Sequence, residues 1–132
     1  MARDSSDSNE ASVDVRRVYD AVREGPGPGQ NFLVDRVWPR GVAKDSLEHD
    51  AWLRDVAPSP ELRKWFGHDP ERWEEFTRRY RAELDARPEA LQPLLDAARQ
   101  GPVTLLYAAR DTEHNHARVL RDYLAETVAQ HR

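Results

Sequence analysis

The chain has 132 residues, with 20 Lys plus Arg against 24 Asp plus Glu and a formal net charge of −4 at pH 7, the size of one ordinary domain. It contains no Cys, which excludes disulfides, Cys-ligated zinc and thiol catalysis. Its longest apolar run, Val103 to Ala109, falls far short of the roughly 20 residues a membrane helix needs.

The N-terminus carries Arg3, Asp4, Asp7 and Glu10 with no apolar stretch, so it does not read as a signal peptide, and a cytoplasmic protein is expected. Mean hydropathy is low at −0.88, but four Trp, four Tyr and three Phe recur at regular spacings and predict a packed core. A chain of this length buries roughly two thirds of its unfolded surface.

Residues 1 to 12 are rich in Ser and Asp without periodicity and read as a disordered leader; residues 13 to 130 read as a single domain. Val13 to Tyr19 is β-prone, with charges interleaved. Gly25-Pro26-Gly27-Pro28-Gly29 predicts an exposed loop. No Gly-Lys-Ser/Thr follows it, so it is not a phosphate loop. A second strand is expected from Phe32 to about Val37, ended by a turn at Pro39-Arg40-Gly41.

The middle reads as helical. Asp45-Ser46-Leu47-Glu48 fits a capping box, and a helix carrying Ala51, Trp52, Leu53 and Val56 is expected to run to Pro58. Ser59-Pro60 starts a short helix with Leu62, Trp65 and Phe66 that ends at Gly67. Asp69-Pro70 opens another. Its Trp73, Phe76, Tyr80 and Leu84 form an apolar stripe, with Glu74–Arg78 and Glu75–Arg79 pairs four apart on the other face.

Leu91, Leu94, Leu95 and Ala98 mark a further helix, whose start Pro93 is expected to place near itself. After Gly101-Pro102, the run Val103 to Ala108 suits a strand buried on both faces. A polar loop from Arg110 to His116 leads into a last helix with Ala117, Leu120, Leu124 and Val128. This order predicts an α/β fold, a small and mostly parallel sheet of three or four strands flanked by about five helices.

Eighteen of the 20 cations are Arg; only Lys44 and Lys64 are Lys. Arg forks suit phosphate and carboxylate, so their placement matters more than their number. Two polar clusters follow apolar strands: Asp35-Arg36-Val37-Trp38-Pro39-Arg40-Gly41 and Arg110 to His116. Ligands of open α/β sheets bind outside the carboxyl ends of the strands. If the two strands are parallel, both clusters share one rim.

Arg36, Arg40 and Arg110 then converge there, and Asp35, Trp38, His114 and Asn115 join them as ligand-binding candidates. Arg40 in a tight turn beside Trp38 is well placed for an anion. Asp111 and His116 are the candidate acid/base pair, since a helix N-terminus favours a neutral His116.

Plainer roles stand beside each of these. Asp35 and Arg36 suit a salt bridge at a strand end, Asp111 suits the N-cap of the last helix, and His116 suits a bond to a backbone carbonyl. Asp69, after His68, is explained by capping. Trp52, Trp65 and Trp73 read as core. His114 and His116 are two apart and cannot imitate the i, i+4 histidine pair of a helical zinc site, so no metal ligands and no cofactor are expected.

The stretches DRVWPRG (35–41), LRKWFGHDP (62–70) and LLYAARDTEHNHA (105–117) resemble the short, YeaO-like branch of the DUF488 domain family, over about residues 13 to 128. The resemblance implies the fold and the place of the site rather than a reaction. Longer members carry Cys where this chain has Tyr107 and Cys-His-Arg where it has Asn115-His116-Ala117; Asp111 and His116 match. The departure puts thiol chemistry out of reach here.

Three functions compete. An enzyme acting on, or at least a site binding, an anionic, phosphate-bearing small molecule such as a nucleotide explains why polar residues gather after both strands. A nucleic-acid-binding or regulatory module weighs lower, because Arg78 to Arg81 are balanced by Glu71, Glu74, Glu75 and Glu83 where DNA binding needs a broad basic face. A non-catalytic interaction module, a homodimer built on the aromatic helices, is the third. No membrane partner is expected.

Overall fold

The computed structural model describes residues 12–130; the expected leader lies outside them except for Ser12. The core is one four-stranded sheet in the order β1-β4-β2-β3, made of β1 (Val13–Arg17), β2 (Gln30–Leu33), β3 (Ala51–Trp52) and β4 (Val103–Tyr107). Every pairing is parallel. Five α-helices accompany it: α1 (Val18–Glu24), α2 (Pro60–Phe66), α3 (Trp73–Asp85), α4 (Pro88–Gln100) and α5 (His116–Gln130). The expected α/β class is the one found.

β4 explains the layers. All five of its residues are buried, and successive side chains point to opposite faces. Val103, Leu105 and Tyr107 join the larger apolar cluster, with Phe76, Tyr80, Leu94, Leu120 and Leu124 from the helices α3, α4 and α5. Leu106 faces the other way and packs with Leu33, Val18, Ala21 and Leu47. Helices therefore cover one face, and α1 with the segment around Leu47 covers the other.

The helix signals hold where the caps are strong. Ser59 Oγ accepts from Leu62 N–H at 3.1 Å, Pro60 opens α2, and Gly67 closes it at φ 55°. Asp69 Oδ1 accepts from Glu71 N–H at a 3-10 turn, Pro70–Arg72, that leads into α3. The α3 stripe is buried at Phe76, Tyr80 and Leu84. On its exposed face Glu75 pairs with Arg79 as expected, whereas Arg78 also turns to Glu75 rather than Glu74. Such exposed pairs add little stability.

Four local expectations change, the first being β2, which starts at Gln30 and ends at Leu33, four residues before the expected Val37. The β-prone stretch stops at Arg17 and becomes α1 without a connecting loop, because Val18 and Ala21, three apart, are the buried pair. The helix expected from Asp45 to Val56 does not form. Two 3-10 turns, Lys44–Ser46 and Arg54–Val56, flank β3 instead, since Ala51 and Trp52 pair with Phe32 and Leu33 at the sheet edge. Lastly, α4 starts at Pro88, not near Pro93. Pro93 stands only one turn into the helix, where its missing N–H forfeits a single bond.

Candidate functional site

Because β2 and β4 are adjacent and parallel, the segments that follow them emerge on the same rim. The turn after β2 is braced from three directions. Tyr19 OH donates to the Arg40 carbonyl at 2.8 Å, Trp38 Nε1 donates to the Val42 carbonyl at 2.7 Å, and Gly41 turns the chain at φ 79°. The backbone of Arg40 is thus fixed while its side chain is exposed. Trp38 itself packs edge-on to Trp52 at 5.5 Å.

Asp35 and Arg36 face inward and are used structurally. Asp35 Oδ2 accepts from Ala108 N–H at 3.1 Å, tying the end of β2 to the end of β4. Arg36 donates to the carbonyls of Ala57 and Pro58. The salt bridge anticipated between Asp35 and Arg36 is therefore not formed. Asp35 Oδ1 lies instead 3.3 Å from His116 Nε2.

The loop after β4 caps itself. Asp111 Oδ1 accepts from the N–H groups of Glu113 and His114, and its Oδ2 lies 3.0 Å from His114 Nδ1. Asn115 donates to the Asp111 carbonyl and accepts from Arg118 N–H at 3.3 Å. Asn115, not Asp111, is accordingly the N-cap of α5, and His116 is its first residue. His116 Nε2 lies 3.0 Å from the Val34 carbonyl, which can only accept, so Nε2 carries the proton. The expected acid/base pair is split, with His116 on Asp35 and Asp111 on His114.

The backbone N–H bonds from His114 and Glu113 hold the Asp111 carboxyl below its ordinary value of 3.8. A depressed carboxylate stabilises the fold above its ordinary pKa and loses that contribution as pH falls through its folded value. A carboxyl NMR titration should therefore place the Asp111 midpoint below 3.8. A midpoint at or above 3.8 would mean that the turn is open in solution.

These segments enclose a cavity of about 750 Å³, lined by Asp35, Arg36, Trp38, Arg40, Arg110, Asp111 and His116 together with Tyr19, Arg63 and His68. Seven of the nine residues anticipated from the sequence thus share one concavity. The other two, His114 and Asn115, line a second cavity of about 320 Å³. Pro58, Arg63, His68, Ala109 and His116 are walls of both.

Arg63 and His68 were not anticipated as site residues. Both lie in the 62–70 motif, where capping accounts for Asp69 and no local signal singles out Arg63 or His68. What carries them to the rim is the reversal after α2: Gly67 at φ 55° is followed by His68 at φ 58°, a conformation uncommon without glycine.

The charge left over is positive. The guanidinium groups of most described arginines are spent on carboxylates or carbonyls, such as Arg17 on the Ala109 carbonyl and Arg87 on Asp55. Among the described residues, only Arg40, Arg54, Arg63 and Arg110 have neither hydrogen bond nor ion pair from the side chain. Arg54 stacks on Trp52 at 4.2 Å. The other three line the larger cavity; of its carboxylates, Asp111 and Asp35 Oδ2 accept hydrogen bonds, while Asp35 Oδ1, 3.3 Å from His116 Nε2, is buried with no hydrogen-bond partner among the described residues.

An all-parallel, three-layer α/β domain with an arginine-lined cavity at the carboxyl rim of its sheet is the class that fold and geometry define. The chain belongs to the DUF488 family, for a family model described as the inactive DUF488-N3 subclade matches residues 12–132. It is 44% identical over 115 residues to the uncharacterised protein Rv3073c of Mycobacterium tuberculosis, covering 87% of this chain and 95% of that protein. The uncharacterised protein YeaO of Escherichia coli is 41% identical over 113 residues, with 86% and 96% covered. No solved structure gives a significant match. No helix among the described residues is long and apolar enough to cross a membrane.

Proposed function

We propose that the protein is a cytoplasmic binding protein for a small anionic, phosphate-bearing ligand, held in the cavity between Arg40, Arg63 and Arg110. The observation that carries this reading is that Arg40, Arg63 and Arg110, whose guanidinium groups have no partner among the described residues, all line one concave site. Arg forks bind phosphate oxygens in pairs, and a 750 Å³ cavity is of ligand size. The description of the matched family as an inactive subclade fits binding without turnover. In this reading Asp111 holds the loop that presents Arg110, His116 ties α5 to the Val34 carbonyl, and Asp35 joins the two rim segments through Ala108 N–H.

Calorimetric titration with ribose 5-phosphate and inorganic pyrophosphate tests it. Each charge-assisted hydrogen bond contributes about 1.5–3 kcal/mol, so Arg40→Ala should weaken binding by roughly 10- to 100-fold. Arg110→Ala should do the same, and Arg99→Ala, remote from the cavity, should do nothing. Absence of binding to either compound, or equal binding by wild type and Arg40→Ala, would overturn the proposal.

A further inference from the structure

The smaller cavity has a different chemistry from the larger one it adjoins. Phe66 and Phe76, stacked on each other with centroids 4.4 Å apart and planes at 24°, supply its aromatic wall. At about 320 Å³ it stands at the small end of ligand-pocket sizes and suits one ring system. Arg63, His68 and His116 border both spaces, so a molecule lodged in one reaches directly into the other.

Three imidazoles line the smaller cavity, and two of them, His114 and His116, are each fixed by an acceptor behind them. His114 Nδ1 faces the Asp111 carboxylate at 3.0 Å, and His116 Nε2 faces the Val34 carbonyl at 3.0 Å. In each neutral ring the proton sits on the nitrogen so engaged. His114 Nε2 and His116 Nδ1 are left as acceptors, and neither has a partner among the described residues. A hydrocarbon ring would leave both nitrogens unmatched, whereas a flat ring bearing N–H or amino groups meets them.

From this we infer that the smaller cavity is a nucleobase subsite, so that the ligand of the joined site is a nucleotide, its base beside Phe66 and Phe76 and its phosphate among Arg40, Arg63 and Arg110. The inference rests on the reading of the larger cavity as an anion site. It adds that recognition has two parts, an aromatic pocket with imidazole acceptors and Lys64 in its wall, and the arginines of the larger cavity.

Calorimetry with three probes separates the two readings: ribose 5-phosphate carries the anion alone, phenyl phosphate adds a ring without N–H groups, and a set of nucleoside 5′-monophosphates adds the base. At least one nucleotide should bind ten-fold or more tighter than either other probe. His114→Leu should abolish that excess, a thermal melt reporting that the variant is folded, and Arg99→Ala, remote from both cavities, should keep it. Nucleotides binding no more tightly than ribose 5-phosphate or phenyl phosphate would overturn the base subsite while the anion site stands. An excess that survives His114→Leu would overturn the role given to that imidazole and with it the subsite as described. Binding of none of the probes would overturn both readings.

Discussion

Gly29→Ala should destabilise the protein by about 3 kcal/mol or more, the largest effect expected of any single methyl group in this chain. Gly29 has φ 70°, and a Cβ there would stand 1.9 Å from the Pro102 carbonyl oxygen. That same carbonyl accepts the Gln30 N–H at 3.1 Å, at the very start of the β2–β4 pairing. The methyl group thus imposes left-handed strain and also pushes apart the two strands that carry the site. Gly41→Ala is the control, because Gly41 has φ 79° but nothing within 4 Å of its Cβ position; it should show the strain alone, about 1–2 kcal/mol. Urea unfolding measures both. A loss below about 1 kcal/mol at Gly29 would mean that the loop can retreat from Pro102.

Asn31→Ala is expected to cost about 3 kcal/mol, for a different reason. Asn31 is only 3% exposed, and its side chain organises the loop before β2. Its Nδ2 donates to the carbonyls of Gly27 and Gly29, at 3.0 and 3.1 Å, while its Oδ1 accepts from Gly27 N–H at 2.9 Å. Alanine would take the partner from all three backbone groups, which are only part-buried; a fully buried group left unmatched costs about 1–3 kcal/mol, and three partly solvated ones together about 3 kcal/mol. Asn31→Asp should not rescue it. A carboxylate keeps the bond from Gly27 N–H but cannot donate to two carbonyls, and it would stand beside Asp50, whose Oδ2 accepts the Asn31 N–H. Thermal melts of the three proteins at pH 7 check this; an aspartate variant as stable as wild type would refute the account.

Both residues show where the sequence stops being legible. The Gly-Pro repeat announces a loop, but not that Asn31 closes it or that Gly29 touches Pro102, a residue more than seventy positions away. The strong local signals fared better. Ser59-Pro60, Gly67 and the Trp73–Leu84 stripe each fixed a helix through neighbours in the chain, and the unbroken apolar run at Val103 identified the central strand. The segment 45–57 went the other way because Ala51 and Trp52 gain strand partners at the sheet edge, which no periodicity records. In the same way Val18 and Tyr19 look β-prone until Val18 and Ala21 are seen to cover the sheet together.

The site was legible in its location and less so in its wiring. Parallel strands followed by polar residues put Arg40 and Arg110 on one rim, and seven of the nine anticipated residues line one cavity. Which groups are spent is a matter of three-dimensional hydrogen bonding. Arg36 looks as available as Arg40 in the sequence, yet its guanidinium is taken up by Ala57 and Pro58. Arg63 looks like an ordinary helix surface residue and is one of the three that remain uncommitted.

The position of β4 has a consequence for how the molecule comes into being. β1 and β2 do not pair with each other; each pairs with β4, which ends at Tyr107. As the chain leaves the ribosome, its first hundred residues therefore hold two strands waiting for a template that is not yet made, with only the two-residue pairing of β2 and β3 available in advance. Assembly of the sheet must await β4, and such long-range closure is slow. Arg40 and Arg110 come to one rim only after that step, so the candidate site is among the late-forming parts of the fold.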